Sequence, residues 1–394
     1  MNFLKSNFWE IDRSPLLHYL GAILSFLHIL NYFFWKSHAP FLTASATKPL
    51  LCWEFFESCI QQGLLTSSLP QQLFSIYIFV AVLAFLSFLW KRFVRLSWSL
   101  LFAATLIQMF LYISDASLKV DVQGLLIFLN LCFLFVPNKA AIFRVTIILF
   151  YLLSAFRELN PEWLSGSNLT EHMPFPLKGL EWVTAMGIGI KLTLPFLLIS
   201  PFGQRLAIAA CGLILFHAFH FYFERDFSSL VMIFLVFFYV LDFFVRKRLE
   251  RETMYQSYEH PEPSKIWWPI AAIFYLMAQA NFVPTTSPTR LFHVDGPVTT
   301  QECRHISFAN FTNRVEQVEN ENLQKLDRNV QCHPLVAFNS AKEFCDKYKN
   351  NSEFKSLSSY FLRRRLSETD YTTVFSAENI CTPHIKYSDS EVSK

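Results

Sequence analysis

The chain has 394 residues, of which 53% are hydrophobic and only 16% charged. Soluble globular domains carry about 25% charged residues, so the composition argues against an ordinary soluble fold and points to lipid. A formal net charge of +3 is too small to suggest a nucleic-acid partner.

A helix crossing a hydrocarbon core of roughly 30 Å needs about 20 apolar residues. Nine runs approach this standard: Leu16–Trp35, Phe74–Trp90, Leu96–Ile113, Val122–Val136, Ala140–Phe156, Trp182–Ser200, Leu206–Phe223, Phe227–Val245 and Ile266–Val283. The fourth, between Asp121 and Pro137, reads equally as a short, broken or re-entrant helix. The first is long and is followed by no small-residue cleavage site, so it is expected to stay attached as a first span.

Sides follow from lysine and arginine in the short loops. With the N-terminus inside, thirteen fall on inner segments and six on outer ones, and Arg246, Lys247 and Arg248 form the densest inner block. An odd number of spans then places the C-terminal segment outside. The cysteines agree. Cys132 and Cys211 lie in apolar runs, whereas Cys52, Cys59, Cys303, Cys332, Cys345 and Cys381 fall in segments assigned to the outside, where disulfides persist. Cys52 would pair with Cys59; the four tail cysteines allow three pairings. No CxxC spacing supports zinc, and no metal is expected.

The expected architecture is therefore an all-α polytopic membrane bundle over residues 1–283, with about nine transmembrane helices, N-in and C-out. A small mixed α/β extracytoplasmic domain, stabilised by disulfides, would occupy residues 284–394.

Several ionisable groups fall at the outer ends of these runs. Gln123 opens the fourth, and Arg157 and Glu158 close the fifth. A turn with Pro161, Trp163 and Gly166 follows, Trp163 being read as an interfacial anchor. His217 and His220 are three residues apart on one face of the seventh run, with Glu224 one turn beyond. Lys191, midway along the sixth, is the deepest charge and needs a partner or a path to the interface. Polar groups at such depth usually mark a site or a water-filled cavity, although histidines also bond between helices without further role. Neither an inverted repeat nor paired interrupted helices suggest a transporter.

The stretch "YLLSAFRELNPEWLSG" resembles the signature of the vitamin K-dependent γ-carboxylase-like (HTTM) family. "IDRSPLLHYLGAIL", "LCWEFFESC" and "FHAFHFYFERDFSSLVMIFLVFFYVLDF" are similar to further pieces of it, so that the resemblance covers about residues 10–245. It implies a membrane scaffold whose carboxylase members deprotonate a quinol with a lysine at the outer end of the fifth span. By position that lysine falls on Glu158, with Arg157 in the preceding basic position. A family histidine falls on Val122 or Gln123, while Phe216-His217 matches. Two expected catalytic groups are thus replaced, which argues against γ-carboxylation itself.

The expected protein is a bacterial inner-membrane member of this family that binds a lipid or quinone-like ligand in an outer-leaflet cavity. Glu158, Arg157 and His217 are the catalytic candidates; His220, Gln123, Trp163, Lys191 and Glu224 would bind ligand. The alternative is a non-catalytic membrane protein acting through its external domain on a protein partner.

Overall fold

A computed structural model describes residues 2–38, 69–114, 118, 121–159, 161–165, 180–198, 203–224, 227–251, 301–318, 332, 334–348, 350–365 and 369–382. Its helices are α1 (Asn2–Arg13), α2 (Pro15–His38), α3 (Leu69–Leu89), α4 (Val94–Ser114), α5 (Asp121–Phe135), α6 (Lys139–Glu158), α7 (Pro161–Leu164), α8 (Leu180–Leu197), α9 (Gly203–Glu224) and α10 (Phe227–Arg251). Among the described residues six helices are long and apolar enough to cross a membrane: α2, α3, α4, α6, α9 and α10. The apolar part of α5, Val122–Phe135, is shorter, in keeping with the short reading of the fourth run. α8 covers most of the sixth run, with Pro195 in its last turn. The ninth run, Ile266–Val283, lies outside the described residues.

α1 was not expected as a separate helix. It is amphipathic, with Asn7 and Ile11 buried and Trp9 and Arg13 exposed. Its Glu10 accepts the Lys139 backbone N–H at 2.9 Å, capping α6 after Asn138, which takes the left-handed conformation at φ 58°. A carboxylate there also meets the positive end of the helix dipole. Lys139 Nζ donates to Asn7 Oδ1 at 2.5 Å and to the Val136 carbonyl at 2.9 Å, so its buried charge is fully engaged.

One hydrophobic core runs through the bundle. It joins Leu17, Leu20 and Leu24 of α2, Leu126 and Leu129 of α5, Ile147 and Tyr151 of α6, Leu213 of α9 and Leu235 and Phe238 of α10. α2 approaches α3 closely at Gly21, where an added Cβ would land on the Phe88 ring. Glycine is the residue the contact admits.

The C-terminal domain is a four-stranded antiparallel sheet of β1 (Gln301–Phe311), β2 (Val315–Val318), β3 (Phe354–Arg365) and β4 (Thr372–Ala377), in the order β2-β1-β3-β4. Strand alternation directs Ala309, Phe311, Leu357 and Phe361 to one face, where Phe338, Ala341 and Phe344 of α11 (Pro334–Tyr348) cover most of it. Cys303 pairs with Cys332 and Cys345 with Cys381, one of the three connectivities the count allowed. Disulfides of this kind are consistent with an extracytoplasmic location. Cys52 and Cys59 lie outside the described residues; Cys132 and Cys211 are free thiols.

Candidate functional site

α6 carries a polar residue at every seventh position: Arg144, Tyr151 and Glu158. Seven residues are nearly two turns, so the three share a stripe and stand about 10 Å apart. Each meets a different helix. Arg144 donates to Asp242 of α10 at 2.5 Å, and the Tyr151 hydroxyl bonds His217 Nε2 of α9 at 2.7 Å. Glu158 forms an ion pair with Lys191 of α8.

The Glu158–Lys191 pair is buried. Ser154, one turn back on α6, donates to Glu158 Oε1 at 3.3 Å and accepts from Lys191 Nζ at 3.4 Å. The ammonium also stands 5.7 Å from the Trp163 ring centre and 5.5 Å from that of Phe216, within reach of both π faces. Two opposite charges in an apolar bundle persist only when paired and hydrogen-bonded, and here both conditions hold.

A cleft opens beside the pair. Glu158, Trp163, Thr184, Gly187, Lys191, Phe216, Phe219 and His220 line it; its empty space of about 280 Å³ is mostly open mouth, and the enclosed part has room for about one water molecule. The charged walls cancel. Lys191 can donate to a ligand oxygen, Glu158 can accept from a ligand hydroxyl, and the aromatic rings can hold a flat or aliphatic body between them.

Four of the expected residues therefore gather in one place: Glu158, Lys191, Trp163 and His220. Trp163 is turned inward and buried instead of anchoring at an interface; Pro161 starts the short α7 that carries it over the pair. His217 does not line the cleft. It faces Tyr151 in the interior, with its Nδ1 buried and unpartnered, because the step of three along α9 separates it in angle from His220. The side chains of Arg157 and Glu224 lie outside the described residues.

Gln123 belongs elsewhere. Its amide donates to Asn31 of α2 and accepts from Gln108 of α4 at 2.9 Å, while Asn31 donates to Tyr77 of α3 at 3.3 Å. Tyr77 in turn bonds His28 Nδ1 at 2.8 Å. This chain of neutral polar groups knits α2 to α5 and does not reach the cleft's lining.

The sequence reading missed Ser154, Thr184 and Tyr151. Tyr151 was findable, because it precedes Glu158 by the same seven residues that separate it from Arg144. Among the described residues no cluster of three or more histidine, cysteine or acidic side chains could hold a metal ion. Comparisons with protein-family models, with curated proteins and with solved structures find no match to this chain.

Proposed function

We propose that this chain is a γ-carboxylase-like (HTTM) protein of a bacterial inner membrane whose cleft beside Glu158 and Lys191 holds a lipid or quinone-like ligand from the outer leaflet. The observation that carries the reading is the buried ion pair with an open aromatic cleft against it. The ligand implied has an oxygen-bearing, uncharged head, since the cleft offers one donor cation and one acceptor anion of equal weight.

γ-Carboxylation is not part of this reading. α6 presents a carboxylate where the resemblance calls for a lysine, and among the described residues the amine that reaches the same spot comes from α8, already paired. The test is the ligand content of the purified protein. Lys191→Met should remove a copurified ligand that the native chain retains; a native chain that carries none, or a variant that keeps it, would overturn the proposal.

The second reading, an interaction protein working through the C-terminal domain, draws support from Val315. This residue is 64% exposed on the edge strand β2, an arrangement that invites another chain. A protein partner captured through that edge, and lost on Val315→Lys, would favour it.

A further inference from the structure

At the end of the bundle where α3 turns into α4, the chain presents a run of exposed aromatic and basic side chains. Trp90 is 66% exposed and Phe93 46%, with Leu89 and Leu96 beside them. Arg92 and Arg95 are exposed on the same turn, and among the described residues neither has an acidic partner. α1 adds to this end, because Phe8 packs edge-on against Trp98 at 5.5 Å, one turn along from Arg95. There the Arg13 guanidinium lies 3.9 Å over the Trp9 ring. Glu10 is committed to capping α6, and exposed Asp12 offsets one of three positive charges.

The turn continues an apolar stripe. Ile76, Phe79, Leu83 and Leu86 recur at three- and four-residue steps, all exposed along one face of α3, and the exposed Trp90 follows just beyond its end. From Ile76 to Leu89 the helix rises about 20 Å, more than half of a hydrocarbon core of roughly 30 Å. A stripe at least one leaflet deep, ending in two exposed arginines without an acidic partner among the described residues, can seat a phospholipid with its acyl chain on α3 and its phosphate at Arg92 and Arg95. Arginine's planar fork matches phosphate oxygens, and the flanking Trp90 and Phe93 suit the headgroup boundary.

We infer that this end of the bundle binds an anionic glycerophospholipid, with Arg92 and Arg95 holding the phosphodiester and the α3 stripe holding an acyl chain. The site is separate from the Glu158–Lys191 cleft and stands whether or not that cleft takes a ligand.

The experiment offers detergent-solubilised full-length protein mixed micelles of phosphatidylglycerol and phosphatidylcholine with identical acyl chains, and reads the retained lipid by native mass spectrometry. The native chain should prefer phosphatidylglycerol by about fivefold for each arginine engaged. Arg92→Gln with Arg95→Gln should bring the preference to parity, and Arg92→Lys with Arg95→Lys should keep part of it. High salt applied to the native chain should weaken the preference without any substitution. Equal retention of the two lipids by the native chain would overturn the inference. So would an undiminished preference in the glutamine variant, or displacement by free glycerol phosphate as readily as by the intact lipid.

Discussion

Lys191 and Glu158 meet across 33 residues of sequence, on two helices that the short α7 bridges. Each satisfies the other's charge, so their removal is not additive. Lys191→Met alone strands a buried carboxylate and should cost about 3–5 kcal/mol. Combining it with Glu158→Gln should recover a large part of that loss. Thermal unfolding in detergent of both single variants and the double variant reads the coupling.

Tyr151→Phe keeps the ring in the core and removes only the hydroxyl bonded to His217. Both imidazole nitrogens would then lack partners, since Nδ1 already has none. The expected loss is about 1–3 kcal/mol, with no change in the ligand carried by the cleft, because neither residue lines it. A variant that lost ligand as well would place His217 nearer the site than this geometry has it.

The two tail disulfides close loops of 29 and 36 residues. Loops of this size imply about 3–4 kcal/mol apiece from restricting the unfolded chain. Cys345→Ser and Cys303→Ser should both be damaging, because Cys345 and Cys381 pack against the core formed by Phe311, Phe344 and Leu357 and Cys303 against that of Ala337, Phe361 and Val374. Limited proteolysis of membranes, with and without reductant, should cut within residues 301–382 only after reduction.

Acid should loosen the same domain in two stages. Burial beside Ser307 and Ser359 holds His305 down at about 4 from an ordinary 6.5. The Tyr371 hydroxyl, with Arg364 and Arg304 behind it, holds Glu302 down at about 2 from 4.5. Both values are depressed by folding, so the unfolded chain binds more protons as pH falls and stability declines. The His305 share is intact above 6.5 and gone by about 4; the Glu302 share is intact above 4.5 and fades towards 2. Hydrogen exchange of β1 and β3, corrected for intrinsic rate, should show protection falling below pH 6.5. His305→Gln should remove that first step and leave the second.

Much of the bundle is legible in the sequence, since α2, α3, α4, α6, α9 and α10 follow apolar runs within a few residues. Hydropathy reports depth and length but not rotation about the helix axis. That is why Lys191 stood without a partner in the sequence reading and Gln123 was grouped with residues it does not meet, while Trp163, read both as an interfacial anchor and as a ligand-binding residue, is found on the cleft's lining. α1 escaped because an amphipathic helix of twelve residues has no apolar run; its signal lies in the spacing of Asn7 and Ile11 against Trp9 and Arg13. The two disulfide pairings rest on how α11 and the segments at Cys332 and Cys381 pack on the sheet, which cysteine counts do not encode.

The central claim is that the space beside Lys191 and Glu158 is occupied by an amphiphile. Gly187 packs close to Phe216 on the cleft's lining, with an added Cβ 3.4 Å from the ring, so Gly187→Leu would crowd the cleft without removing either charge. Mass spectrometry of organic extracts from the purified native chain and this variant is the most direct measurement. The account predicts a near-stoichiometric, uncharged-headed lipid or quinone in the native extract and its loss from the Gly187→Leu extract. The same compound at equal amount in both, or its absence from the native chain, would contradict it.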